Sequence, residues 1–270
     1  MLHSITNLTV IGAGKMGMAL TRGWLESDLA VSALHLVDPA PHESIIEFCR
    51  LRGIAFGREA PPGKAGILLL AVKPQVIAEV MKGLRSRVGP ETLVVSTAAG
   101  ISIATLRDGL GTDRIVRTMP NTPAQVGKGV TGLVRGASVS DEDWALAHAL
   151  FSVSGVVVEL SQESEIDALT ALSGSGPAYV FHLVEAMAAA GEQEGLDPET
   201  AMVLARQTII GAAALLDADP ADAATLRQNV TSPGGTTAAA LGELMADDGL
   251  AALMKRAVHA ARVRSEELGG

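Results

Sequence analysis

Two clusters of glycine and hydroxyl residues carry most of the chemistry written into this chain. The first is IGAGKMG, where Gly12, Gly14 and Gly17 follow a G-x-G-x-x-G spacing. The first glycine permits a tight turn, the second lets an anion approach the main chain, and the third lets a helix pack against a strand. The N–H groups at the start of that helix, around Lys15 and Met16, then face the anion. The second cluster is NVTSPGGTTAAAL, residues 229–241. Thr231 and Ser232 precede Pro233, Gly234 and Gly235 give a bend with unobstructed amides, and Thr236 and Thr237 open an Ala-rich helix. Unpaired amides, the helix dipole and several hydroxyls together suit a small carboxylate. A plain helix cap needs only one Ser or Thr, so the second glycine and the surplus hydroxyls point to a ligand.

The context of the first cluster narrows its anion to a pyrophosphate. The glycines follow a β-rich run and open a helix, and Asp38 ends the next β-rich run. An acidic residue there accepts hydrogen bonds from ribose hydroxyls and repels a 2′-phosphate. No Lys or Arg follows until Arg50. The expected ligand is a nicotinamide dinucleotide, NADH in preference to NADPH. Two further segments end strands and so line the same crevice. In AVKP, Val72, Lys73 and Pro74 shape the nicotinamide pocket through their backbone, or Lys73 acts as a catalytic amine. In MPNTP, prolines on both sides fix Asn121 with its amide pointing outward, beside the nicotinamide or in an Asx turn, and Pro123 completes the wall. LSGSGPAYVFH reads as a close turn before a helix with Pro177 at its first position. Tyr179 and His182 on that helix read as packing or surface residues before catalytic ones.

The elements that must hold these residues fall into two halves. Over residues 1–160, β-rich runs at 7–12, 33–38, 65–72, 92–98, 114–120 and 156–160 alternate with helical patterns at 15–27, 43–52, 74–85, 102–109 and 141–155. Alternation of this kind predicts a doubly wound, mainly parallel sheet of the Rossmann type. Residues 129–136 alternate like an edge strand. Asp141 is expected to cap the helix at 141–155 and Gly155 to stop it. Over residues 161–270 no strand pattern remains. Six Ala-rich helical segments follow, at 163–172, 177–194, 198–217, 222–229, 236–246 and 249–267.

The composition bounds the function. A net charge of −9 argues against a nucleic-acid partner, which needs a basic footprint. The single cysteine, Cys49, excludes an intrachain disulfide and suits a reducing compartment. Apolar runs such as IIGAAALL fall short of the ~18–20 residues that span a bilayer, so no membrane partner and a cytoplasmic location are expected. The six histidines are scattered and no metal site is proposed. Ala-rich helices with few large side chains cannot close a core alone, so a homo-oligomer is expected.

GAGKMG, AVKP, MPNTP, SGSGPAYVF and NVTSPGGTT, in this order and over nearly the whole chain, resemble the pyrroline-5-carboxylate reductase family. The resemblance implies reduction of the cyclic imine Δ1-pyrroline-5-carboxylate to L-proline by NAD(P)H, the last step of proline biosynthesis. It implies an N-terminal Rossmann domain and a helical C-terminal domain that forms an interlocked dimer, in some members stacked into larger rings. By position, Ser232, Gly234, Gly235, Thr236 and Thr237 would hold the substrate carboxylate, with the Thr237 hydroxyl near the ring nitrogen. Asn121 and Pro123 would lie by the nicotinamide and substrate. Family precedent favours NADPH, whereas Asp38 favours NADH. A β-hydroxyacid dehydrogenase would share this plan but needs a lysine in the helical half, and after residue 160 only Lys255 is available. A non-catalytic dinucleotide sensor would have no use for the TSPGGTT turn.

Overall fold

A computed structural model describes residues 1–269. The first half forms one eight-stranded sheet. Its strands are β1 (Leu8–Ile11), β2 (Leu34–Val37), β3 (Ala55–Gly57), β4 (Ile67–Leu70), β5 (Leu93–Ser96), β6 (Ile115–Pro120), β7 (Gly129–Arg135) and β8 (Gly155–Glu159). The order is β3-β2-β1-β4-β5-β6-β7-β8. All neighbours from β3 through β6 are parallel, β7 runs antiparallel to β6, and β8 is parallel to β7. The expected doubly wound sheet is therefore present. Its strand order reverses between β1 and β4, which places the ligand crevice at their carboxyl ends.

Strands buried on both faces explain the unbroken apolar runs. Leu8, Val10, Leu34, Leu36, Leu69 and Val95 pack on one face. There they meet α1 (Lys15–Leu25) and α5 (Asp141–Ser152) through Leu20, Trp24, Leu150 and Phe151. The indole N–H of Trp24 donates to Leu150 O at 2.7 Å, so its burial leaves no donor unpaired. Ile11, Val37, Leu68, Leu70, Val94 and Ile115 occupy the other face. They pack against α3 (Ile77–Leu84) and α4 (Ile103–Leu110) through Ile77, Met81, Leu84, Leu106 and Leu110. Helix α2 (Glu43–Arg52) connects β2 to β3.

Three local expectations are corrected. Residues 129–136 are not an edge strand: β7 lies between β6 and β8, and the antiparallel turn back from β6 is what brings it inside. Ser140, not Asp141, caps α5, because its hydroxyl accepts from Asp143 N–H at 3.1 Å while Asp143 reaches back to the Ser140 amide. Gly155 does not stop α5 but opens β8, where its φ of +140° lets it lie against Gly129. The short strand β3 carried no sequence signal.

The strands end at Glu159. By contacts the first compact unit continues to Gly174 and takes in the end of the last helix from Ala261. It contains α6 (Glu165–Leu169) and a π-helical turn at Thr170–Gly174. The second unit, Ser175–Ala260, is wholly helical. Its elements are α7 (Gly176–Gln193), α8 (Pro198–Ala218), α9 (Ala223–Asn229), α10 (Thr236–Leu244) and most of α11 (Leu250–Gly269). Ala188, Ala201 and Ala205 are buried where α7 meets α8. A Cβ on Gly191 would lie 3.4 Å from Ala201 Cβ, so small residues set this close approach.

Candidate active site

The three glycines after β1 do three different things. Gly12 has φ +102°, and a Cβ there would sit 2.5 Å from Ala71 O at the end of β4. Both conformation and space exclude a side chain. A Cβ on Gly17 would collide with Gly12 O, so its absence lets α1 begin tight against the strand. Gly14 has φ −71° and ψ −171°, ordinary extended backbone, and a Cβ there would meet no protein atom within 4 Å. Internal packing does not require Gly14, and open space lies in front of it. No side chain caps α1, and its ladder begins only with Met18 N–H donating to Gly14 O at 2.9 Å. The amides of Lys15, Met16 and Gly17 therefore face that space as donors. The cradle fits a pyrophosphate.

Asp38 directly follows β2, tied by its N–H to Gly57 O at 3.1 Å. Its Oδ2 accepts from Ala13 N–H at 2.9 Å and its Oδ1 from Ala40 N–H at 2.9 Å. Both oxygens are fixed in direction, and each keeps a lone pair for a further donor. Its neighbours Val37 and Pro39 line a cleft of about 390 Å³ together with Ile11, Arg58, Val80, Leu84 and Arg87. Beyond the switch point, exposed Lys73 begins the short turn Pro74–Val76, with its carbonyl accepting from Val76 N–H at 3.2 Å.

At the end of β6 the expectation of an outward-pointing amide is corrected. Asn121 is only 8% exposed. Its Nδ2 donates to Ser173 O at 3.0 Å and its Oδ1 accepts from Val130 N–H at 2.8 Å. The side chain is turned inward because two main-chain groups from other segments need it. Four residues earlier, within β6, Arg117 is also buried, and its Nη1 lies 2.7 Å from Glu163 Oε1. The same oxygen accepts from Ile103 N–H, the first amide of α4, at 2.7 Å. Sequence reasoning passed over this pair. The available signal was an arginine inside the otherwise apolar strand IVRTMP, which must find a counter-charge somewhere.

The second unit builds the carboxylate candidate. Gly235 N–H donates to Ser232 O at 3.1 Å, with Pro233 and Gly234 between them and φ +70° at Gly234. Proline at the second position and a positive φ at the third make this a type II turn. A Cβ on Gly235 would come 2.5 Å from Ser232 Oγ and 3.2 Å from Ser232 O, so a side chain there would push the Ser232 hydroxyl aside; closeness, not φ, favours the second glycine. Helix α10 starts at Thr236 with no side-chain cap, and its ladder begins with Ala239 N–H to Gly235 O at 3.1 Å. The amides of Thr236, Thr237 and Ala238 stand outside that ladder. Thr231 is different: its hydroxyl donates to Arg227 O at 2.6 Å and closes α9. His182, on α7, pairs its Nδ1 with Glu185 Oε2 at 3.0 Å on an exposed face.

Known proteins resemble this chain over nearly its whole length. The family described as pyrroline-5-carboxylate reductase dimerisation matches residues 163–268, and one described as NADP oxidoreductase, coenzyme F420-dependent, matches residues 7–100. A pyrroline-5-carboxylate reductase of Pseudomonas aeruginosa is 40% identical over 268 residues, 98% of this chain and 97% of that protein. The solved structure of a pyrroline-5-carboxylate reductase from Coxiella burnetii superposes with a TM-score of 0.90 at 34% identity, covering 99% of this chain and 100% of that one. The Plasmodium falciparum pyrroline carboxylate reductase, solved with NADP bound, gives 0.82 at 28% identity over 98% of each chain. With 40% identity to such a reductase over 98% of its length, and a dimerisation-family match across its helical half, the chain belongs to the pyrroline-5-carboxylate reductase family.

Proposed function

We propose that the protein reduces Δ1-pyrroline-5-carboxylate to L-proline by hydride transfer from a nicotinamide cofactor, as the final step of proline biosynthesis in the cytoplasm. The observation that carries the reading is the uncapped start of α10 behind the Ser232–Gly235 turn, whose amides have no use inside the helix. The dinucleotide lies along Gly12, Gly14, Lys15, Met16 and Gly17 with its phosphates in front of Gly14. Asp38 accepts the adenosine ribose hydroxyls, and the cleft beside Pro39 and Val80 takes the adenine. Val72, Lys73, Pro74 and Pro123 wall the nicotinamide. The fixed carboxylate of Asp38 supports NADH over NADPH. The working form is a homodimer built through the helical half, with rings of dimers as a further step.

The chemistry asks little acid–base work of the protein. A protonated imine already carries a positive nitrogen, and the bound dihydronicotinamide supplies the hydride that neutralises it. The chain must hold a planar ring in one orientation. The amides of Gly234, Thr236 and Thr237 and the Ser232 hydroxyl grip the substrate carboxylate and fix one end of that ring, while Gly235 N–H stays within the turn and its missing side chain leaves the approach open. The Thr237 hydroxyl solvates the ring nitrogen as it becomes a neutral amine, which then takes a proton from water. A buried hydrogen bond of this kind is worth about 1–3 kcal/mol. Thr237→Ala should therefore lower kcat/KM for the imine by about ten- to a hundredfold, while the Kd for NADH stays within about twofold of the parent. Imine-dependent oxidation of NADH gives the first quantity and fluorescence titration the second. Equal losses in both, or no imine-dependent oxidation by the parent protein, would defeat this assignment.

A further inference from the structure

We propose that Asn121 is a positioning residue, and that its task is to supply a donor that Pro177 cannot. In a helix the carbonyl of Ser173 would be taken by the amide of residue 177. That residue is Pro177, which has no N–H. The segment instead makes a π-helical turn at Thr170–Gly174 before α7 begins at Gly176. Ser173 spends its own hydroxyl on Leu169 O at 3.1 Å. Its carbonyl is left to Asn121 Nδ2 at 3.0 Å. The orientation of the carboxamide is fixed by its two neighbours. Val130 N–H can only donate and Ser173 O can only accept, so oxygen must face Val130 and nitrogen Ser173.

The bond joins three segments at one end of the sheet: the end of β6, the start of β7 and the π turn. Met119 supports the same contact, since a Cβ on Gly174 would lie 3.2 Å from Met119 Cε. Turns of π type leave carbonyls in need of outside partners and concentrate at functional sites. The carboxyl end of β6 lies across the switch point from Gly12 and Asp38, on the side of the crevice left for the reacting end of a dinucleotide. Asn121 thus holds the wall against which the reaction geometry is set, and the cofactor's affinity is set elsewhere, at the glycine cradle. This inference rests on the reductase reading of the site.

The isosteric variant Asn121→Asp separates positioning from ligand binding. It keeps the acceptor for Val130 N–H and replaces the donor to Ser173 O with a carboxylate oxygen. The expected result is a fall in kcat of about thirtyfold or more, an NADH Kd within about twofold of the parent, and a raised deuterium isotope effect on kcat with NADH deuterated at the transferred position, because hydride transfer becomes limiting. An NADH Kd raised tenfold with kcat retained at saturation would make Asn121 a cofactor ligand and overturn the proposal. A fall in kcat with an unchanged isotope effect would mean a smaller folded fraction only, and would overturn it as well. Should Asn121→Asp not fold, Asn121→Ser is measured the same way. Amide hydrogen exchange needs no turnover: in Asn121→Ser the Val130 amide should exchange at least about tenfold faster than in the parent. Unchanged exchange there would break the proposal even if the reductase assignment stood, whereas absent imine reduction by the parent would break the reductase assignment alone.

Discussion

Asp38 shows how a single side chain can set the choice between two cofactors that differ by one phosphate. Its carboxylate cannot swing aside, because Ala13 and Ala40 each hold one oxygen at 2.9 Å. A ribose with two free hydroxyls adds donors to these oxygens, whereas a 2′-phosphate brings its own charge against them. Hydrogen bonds to a charged group contribute about 1.5–3 kcal/mol. Asp38→Ser should therefore lower kcat/KM with NADH by about tenfold or more and raise it with NADPH, reversing or levelling the ratio. Steady-state rates with both cofactors check this, and a parent enzyme that already prefers NADPH strongly would sink it. Asp38 and the three glycines were legible because their jobs follow from spacing along a short stretch. The inward turn of Asn121 was not, since it depends on a missing N–H at Pro177, far along the chain. Nor was the Arg117–Glu163 pair, whose partners meet at 2.7 Å only through the fold.

At the level of elements, the start of α1 separates a residue kept for packing from one kept for a ligand. In Gly17→Ala the new methyl group meets the Gly12 carbonyl, and backbone must move. Overpacking of this kind costs about 1–3 kcal/mol, so a melting temperature several degrees lower is expected, with or without cofactor. In Gly14→Ala the methyl group meets no protein atom. Stability should change by less than about 1 kcal/mol, the difference between Gly and Ala at a helix N-cap, while NADH affinity falls at least about tenfold as the methyl group takes phosphate space. Thermal melts and NADH titrations of both variants test the contrast. If Gly14→Ala bound NADH normally, the cradle would not be where the phosphates lie. The same scale explains which elements could be read in advance. Long buried strands such as β4 and β5 announce themselves by apolar runs. The three-residue β3 is too short to show a period, and its place at the sheet edge comes from pairing with β2. The β-branched alternation of β7 suggested an edge, but helix α6 and the segment closing β8 cover it in three dimensions: a Cβ on Gly132 would clash with Leu169, and Leu160 would lie 3.2 Å from it.

For the molecule as a whole, the informative fact is how much apolar surface the helical unit shows. Phe181 is 65% exposed and Ile210 55%. They share a groove with Val180, Val184, Met202 and Ile209, between α7 and α8. Helix α8 is even long and apolar enough to cross a membrane by length and composition, and only 11% of its most apolar window is buried within the chain. A bilayer and a second copy of the chain would both cover such a surface. Arg206 on the groove wall speaks against the bilayer, where a charged side chain costs about 2.5–3.5 kcal/mol at mid-depth. The match of residues 163–268 to a dimerisation family speaks for the second copy. Burying a side chain like Ile210 contributes about 1.5–3 kcal/mol, and a carboxylate in its place would also lose hydration without a partner. Ile210→Asp should therefore raise the dimer dissociation constant at least about a hundredfold. Sedimentation velocity over a concentration series should show monomer where the parent shows dimer, with the isolated binding of NADH preserved because the glycine cradle lies wholly in the first unit. An unchanged sedimentation coefficient for Ile210→Asp would mean that α8 is covered by something other than its own twin.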